Sequence, residues 1–288
     1  MDEEVILETN LSFPLYKRGK VRDIYDLGDK LLIVSTDRIS AFDVVLPNGI
    51  PHKGEALNRL SAYWFNETKD IIPNHVVKVV DPRTVLVRKA EAIKIEFVIR
   101  GYLYGLAWEN YEKGRPISGV RLPGGLRKAE KLPNPIFTPT TKTEIGHDVE
   151  ITRDDVAQRL GRKTAGEIEE TCFRIYEKAS KKSEEKGILI ADTKMEFGIC
   201  DGELILIDEL LTPDSSRFWS LKDYEVGRDQ LSFDKQYVRD YLNSIGWDKR
   251  PPAPSLPNHV VLETSKKYIE AYERLTGEKF RKMPNKKG

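Results

Sequence analysis

Cysteine is scarce in this chain of 288 residues, which carries only Cys172 and Cys200. Two thiols cannot build a disulfide framework, and neither has a Cys or His partner at zinc-site spacing. Histidine is nearly as rare. His52, His75, His147 and His259 are scattered, and only His147-Asp148 invites a catalytic reading. No apolar run reaches the roughly 18 residues of a membrane-spanning helix. The start, Met1-Asp2-Glu3-Glu4, lacks the basic residues and apolar stretch of a signal peptide, so the expected address is the cytosol. Net charge is missing too: Lys and Arg number 47 against 46 Asp and Glu. Nothing global therefore favours nucleic acid or an anionic membrane, although a local basic cleft stays open. A homo-oligomer also stays open. Repeats and low-complexity segments are absent, apart from a basic tail from Lys279 to Lys287 that reads as a solvated end.

What is present is a globular composition, 39% hydrophobic and 32% charged, with a mean hydropathy of −0.49. The length suffices for one large domain or two lobes around a cleft. Val21 to Tyr25 and Leu31 to Ser35 are rich in β-formers and flank the turn signal Leu27-Gly28-Asp29-Lys30. Leu57, Leu60, Tyr63 and Trp64 recur at helical spacing within Ala56 to Phe65. Val76 to Val80, Thr84 to Lys89 and Ile95 to Ile99 return to strand. Leu122 to Pro139 is dense in Pro and Gly and reads as a long functional loop. Thr164 and Glu167 have capping-box spacing ahead of a helix whose Ile168, Cys172, Ile175 and Ala179 form one buried stripe. Cys172 is thus expected in the core. That helix ends in Lys181-Lys182 and Gly187, as the dipole favours. Two further helical patterns, Asp234 to Leu242 and Leu262 to Leu275, close an α+β chain with a small β-rich N-terminal lobe and a larger mixed lobe.

The most informative segment is a charged hairpin. It runs from Gly187 to Gly198, turns near Asp201-Gly202 and returns over Glu203 to Asp208. Side chains alternate along a strand, so Asp192, Lys194 and Glu196 share one face while Thr193, Met195 and Phe197 share the other. An odd-length turn or a bulge would set Asp208 opposite Glu196. A two-residue turn would set it opposite Met195. Facing carboxylates repel unless a hard cation lies between them, and magnesium on nucleotide phosphates suits such a pair. A solvent-facing strand with compensating charges is the plainer reading. Downstream, Pro213-Asp214-Ser215-Ser216-Arg217 is turn chemistry, and a guanidinium beside two hydroxyls also suits phosphate or carboxylate.

Taken together, Ile188 to Trp219 resembles the phosphoribosylaminoimidazole-succinocarboxamide synthase family. The signature, an apolar pair then Asp-x-Lys-apolar-Glu-Phe-Gly, stands here as Ile190 to Gly198. The resemblance extends over most of the chain. Leu15 to Tyr25 resembles the family's phosphate-facing loop and hairpin, which implies Lys20 and Arg22 at the ATP phosphates. Ser35 to Asp43 resembles the loop reaching the imidazole nucleotide, implying contacts from Asp37 and Ser40. Val87 to Ala90 resembles the hinge along which adenine binds through backbone groups, with Val87 and Lys89 as its residues. In Ile95 to Leu106, Glu96 and Arg100 match a second signature, whereas Leu106 replaces a serine that the family implies for substrate phosphate. Tyr104 is one candidate replacement, but Ser215 or Ser216, beside Arg217, is the expected one. Otherwise Leu106 packs with Trp108 and Tyr102. Thr138 to Lys142 with His147-Asp148 resembles the family's central loop and reads as a substrate or lid loop.

The resemblance implies a two-lobed ATP-binding fold with the active-site cleft between the lobes. Residues 1–88 would form the ATP-binding lobe, and 89–288 the lobe carrying metal and substrate sites. The expected cofactors are ATP and Mg2+, the metal on Glu196 and Asp208. The expected catalytic residues are Asp192, Lys194 and Asp214, with Arg100, Ser215, Ser216 and Arg217 on substrate. The implied reaction joins L-aspartate to 5-aminoimidazole-4-carboxylate ribonucleotide with ATP, in purine biosynthesis, through an acyl phosphate. A kinase-like phosphotransferase is the rival enzyme, but the His-Arg-Asp catalytic loop and Asp-Phe-Gly are missing. A regulatory protein that has lost catalysis fits poorly with intact Lys194, Glu196 and Asp208. A nucleic-acid-binding module fits the neutral charge worse still.

Overall fold

The computed structural model describes residues 5–142 and 149–281. Met1-Asp2-Glu3-Glu4, His147-Asp148 and the tail beyond residue 281 lie outside them.

The first strands are β1 (Leu15–Arg18), β2 (Arg22–Asp26) and β3 (Lys30–Ser35). A small hairpin, β4 (Arg38–Ala41) and β5 (Val44–Gly49), precedes helix α1 (Lys53–Glu67). Strands β6 (Val76–Asp81) and β7 (Thr84–Arg88) then complete a five-stranded antiparallel sheet ordered β1-β2-β3-β7-β6. The second sheet begins with β8 (Glu91–Ala92) and β9 (Ile95–Tyr102). After helix α2 (Leu106–Glu112) come β10 (Lys131–Phe137) and β11 (Thr140–Thr141). Helices α3 (Arg153–Leu160) and α4 (Arg162–Glu184) lead into the long β12 (Ile188–Cys200). Strands β13 (Glu203–Ile207) and β14 (Ser216–Ser220) both pair with β12, and α5 (Gln236–Ser244) and α6 (Asn258–Thr276) end the described chain.

The stripe on α4 is buried as its spacing requires. Ile168, Cys172, Ile175 and Ala179 are fully inaccessible, in one core with Phe97, Met195, Phe197 and Phe218 from the sheet. Each of the Ile, Phe and Met side chains contributes about 1.5–3 kcal/mol on burial. A second cluster joins Ile39, Leu46 and Ile50 to Val238, Leu242 and Val260, so α5 and α6 fasten the β4–β5 hairpin. The two sheets meet where His75 N–H donates to Leu206 O (3.0 Å) and Leu206 N–H donates to Pro73 O (3.0 Å).

Two sequence expectations are corrected. The stretch Leu122 to Pro139 is not all loop, because β10 occupies its second half on the sheet edge. Pro133 and Pro135 fall where the β10–β9 register shifts between Lys131 and Ile136, a place where missing amide donors break no ladder. The capping box is not at Thr164, which lies inside α4. It is at α3, where Thr152 Oγ1 accepts from Asp155 N–H and Asp155 accepts from the Thr152 amide.

Candidate active site

The β12–β13 register decides the hairpin question. Glu196 pairs with Ile207 and Cys200 with Glu203, leaving Asp201-Gly202 as a two-residue turn. Both turn residues have positive φ (53° and 80°), the conformation that matches strand twist in tight hairpins. A continued strand would carry Asp208 toward Met195, but β13 stops at Ile207 and Asp208 adopts φ 69°. This left-handed residue turns the carboxylate out of the ladder, and strain of this kind concentrates at functional sites.

Freed from the ladder, Asp208 accepts from Arg22 Nη2 at 2.6 Å, an ion pair linking the first sheet to the second. Burial opposes both charges, yet Asp208 and Glu209 raise the Arg22 pKa. Arg22, Lys194 and Lys142 hold the Asp208 carboxyl well below the ordinary carboxylate range. Lys194 Nζ donates to Glu196 Oε1 (2.7 Å) and Glu96 Oε1 (2.8 Å), and Lys142 Nζ donates to Glu196 Oε2 (2.5 Å). Burial works against the Lys194 ammonium, but Glu196 and Glu96 raise its pKa. Glu196 is nearly inaccessible and carries two lysines. Three cations thus hold two metal-type carboxylates. The all-oxygen donor set fits magnesium, which takes one or two carboxylates and completes its shell with phosphate and water. Among the described residues no group of three or more His, Cys, Asp and Glu side chains could hold a metal without such help.

A second arrangement follows from a bulge at Ala191, between Ile190 and Asp192 in the β12–β14 register. Beyond it Asp192 pairs with Arg217 on β14 and with Arg100 on β9. Asp192 Oδ2 accepts from both, Arg217 Nη1 at 2.6 Å and Arg100 Nη1 at 3.2 Å. Arg100 Nε also donates to Thr138 Oγ1 (2.9 Å). Arg217 Nε is buried without a hydrogen-bond partner. Arg239 acts electrostatically on the same groups, opposite Asp234. Asp234 is itself pushed up to about 6 by burial, against the pull of Arg239 and Arg217. Positive charge is therefore in excess here. Gly105, at φ 59°, makes room for this: a Cβ there would meet Arg217 Nη2 at 2.6 Å.

Asp214 belongs to a third cluster. It accepts from Lys53 Nζ at 2.7 Å and from Tyr268 Oη at 2.6 Å, and the Lys53 side chain is fully buried. Burial opposes the Asp214 carboxylate, but Lys53 and Lys235 hold its pKa low. Lys235 is pushed down to about 8 by burial, in spite of Asp214.

Other expected residues are placed as follows. Lys20 is exposed and pairs with Asp43 (2.5 Å). Val87 is buried between Leu31 and Val76, and Lys89 Nζ pairs with Asp26 (2.7 Å). The amides of Arg88 and Lys89 already donate to His75 O and Asp29 O, which leaves any adenine to other backbone groups of the connector. Ser40 is half-buried on β4. Asp37 is fully inaccessible, with its carboxylate taking the amides of Ile6 and Gly54 and the Arg83 guanidinium. It braces the start of α1. Ser215 and Ser216 are buried and bonded within the chain, Ser216 sharing a hydrogen bond with Thr193 Oγ1 (2.8 Å) and Ser215 Oγ accepting from Thr212 N–H (3.1 Å). Tyr104 is also engaged, donating to Asp229 (2.7 Å). Leu106 opens α2 and is 46% exposed.

Sequence reasoning passed over Lys53, Lys235, Arg239 and Tyr268. Lys235 and Arg239, four apart at the start of a helical pattern, carried a signal, since that spacing sets both on one face. Lys53 and Tyr268 carried none.

A small β-sheet lobe clamped onto a larger mixed lobe by a charged hairpin is the build of an ATP-using ligase. Residues 15–254 match the family model described as SAICAR synthetase. A curated phosphoribosylaminoimidazole-succinocarboxamide synthase from Thermodesulfovibrio yellowstonii is 52% identical, covering 95% of this chain and 99% of its own. Among solved structures, SAICAR synthase from Saccharomyces cerevisiae complexed with SAICAR is 40% identical. It superposes with a TM-score of 0.88, covering 96% of this chain and 99% of its own. A SAICAR synthetase in complex with ADP is 26% identical with a TM-score of 0.71, covering 93% and 100%. This chain belongs to the SAICAR synthetase family. It is an ATP-dependent ligase of purine biosynthesis, joining L-aspartate to 5-aminoimidazole-4-carboxylate ribonucleotide.

Proposed function

We propose that the three charge clusters divide the ligase reaction between them. A carboxylate is a poor acyl donor, because its charge is delocalised and oxide is a bad leaving group. In our reading a carboxylate oxygen of the imidazole nucleotide attacks the γ-phosphorus of ATP, forming an acyl phosphate and ADP. The aspartate amine then attacks the acyl carbon, an amine proton is lost, and inorganic phosphate leaves with that carboxylate oxygen.

Lys20 and Arg22 face the ATP phosphates in this reading, and the connector from Val87 to Lys89 borders adenine. Glu196 and Asp208 would hold magnesium, which when bound neutralises phosphate charge and polarises the transferred group. Lys194 steadies Glu196 and Glu96 and faces the developing charge. Arg100 and Arg217, oriented by Asp192, take the anionic end of the imidazole nucleotide. The orphaned Arg217 Nε is a donor awaiting an acceptor. Asp214, already held by two donors, is a weak base, so we assign it to keeping Lys53 and Lys235 in place beside the substrates. Ser40, Ser215 and Ser216 border the nucleotide site in this reading, the two later serines shaping the turn that presents Arg217.

The observation that carries the reading is Asp208 turned out of its strand by a left-handed torsion onto Arg22, beside the doubly paired Glu196. Isotope transfer tests the chemistry. With 18O in the nucleotide carboxylate, each turnover should deliver one labelled oxygen to inorganic phosphate. Unlabelled phosphate would show that the carboxylate is not the phosphorylated group.

A further inference from the structure

Arg38 has no part in the roles assigned so far, yet few side chains are as fully engaged. From β4 its guanidinium donates to the carbonyls of Lys20 (3.1 Å) and Gly19 (2.9 Å), to Leu7 O, and to Asp23 Oδ1 (2.9 Å). Asp23 is inaccessible and also accepts the amide (2.8 Å) and hydroxyl (2.9 Å) of Thr9. Burial works against this carboxylate, but the bonds from Thr9 and Arg38 hold its pKa below the ordinary value. The guanidinium therefore rests on a fixed anion and grips two successive carbonyls of one turn.

That grip has a consequence for the opposite side of the turn. In a trans peptide the C=O and N–H point in opposite directions. With the carbonyls of Gly19 and Lys20 held on Arg38, the amides of Lys20 and Val21 are turned away from it. They lie on the turn that carries the exposed Lys20 side chain and leads into Arg22. The turn is closed by Gly19 N–H donating to Arg22 O (2.7 Å). Successive outward amides beside two cations form a concavity suited to anionic oxygens.

We propose that Arg38 is a positioning residue for the nucleotide phosphates, setting the 18–22 turn so that its amides and Lys20 face them. The proposal rests on the reading that Lys20 and Arg22 meet ATP. A purely structural Arg38, one that only fastens Leu7 and Asp23 to the sheet, would lower stability and weaken all ligands alike.

Binding of ADP with magnesium, of adenosine and of the imidazole nucleotide to the full chain separates these cases, with thermal unfolding recorded alongside. Arg38→Lys keeps a charge for Asp23 but cannot fork onto two carbonyls. We expect ADP affinity to fall about tenfold, the loss of one or two charged hydrogen bonds, with adenosine and imidazole nucleotide unchanged. The KM for ATP should rise more than kcat falls. Unchanged ADP affinity, or an equal loss for all three ligands, overturns the proposal. Lys20→Ala and Arg22→Ala are the control. If neither weakens ADP, the underlying reading of the loop fails; if they do and Arg38→Lys does not, only the positioning role fails. Should the harsher Arg38→Met not fold, Arg38→Lys decides alone.

Discussion

At the scale of single residues, one torsion at Asp208 decides where the second carboxylate points. If Glu196 and Asp208 hold magnesium together, Glu196→Gln and Asp208→Asn should each cut turnover by about 100-fold or more with the fold retained. Near-normal turnover in either variant at saturating magnesium removes that residue from the metal site. Asp234 gives a pH test of the anion cluster. Its folded pKa of about 6 stands above the ordinary value of 3.8, so the folded chain holds this proton more tightly than the unfolded chain. The stabilising proton is fully present below the unfolded value and is lost as pH rises through 6. Asp234→Asn should therefore gain stability relative to the parent between pH 4 and 7, by up to about 3 kcal/mol in denaturant unfolding. A difference that stays flat with pH would show that Asp234 does not carry the shift.

The scale of elements shows which parts of the fold were readable in advance. The stripe on α4 and the strands around Gly28 were legible because period and turn chemistry agree there. The β12–β13 hairpin was legible as a hairpin, but turn length alone left two registers, and only the positive φ of Asp208 settles its direction. No pattern in one sequence announces such a torsion. β10 was hidden because its prolines sit at a bulged edge, a tertiary circumstance. The α3 cap was overlooked because a neighbouring Thr–Glu pair has the same spacing. Hydrogen bonds separate the two, so Thr152→Ala should destabilise the chain by about 1 kcal/mol in urea unfolding, whereas Thr164→Ala should change little. Equal effects would mean that the Thr152–Asp155 box does not cap α3. Of the site, the strand-borne charges were legible by alternation. Lys53 and Tyr268 were not, since only folding brings α1 and α6 together at Asp214.

For the whole molecule, the central claim is that two sheets converge on one nucleotide through Arg22 on one side and the Glu196–Asp208 hairpin on the other. The direct ion pair from Arg22 to Asp208 would then give way to a shared ligand, with the metal taking the carboxylate and phosphate taking the arginine. Manganese replaces magnesium in such oxygen sites and scatters anomalously, so its position can be measured in crystals grown with ADP. The account predicts one anomalous peak within bonding distance of both Glu196 and Asp208, with ADP phosphates against Lys20 and Arg22. A peak on other side chains, or ADP bound while Arg22 remains paired to Asp208 and no metal touches Glu196, would contradict it.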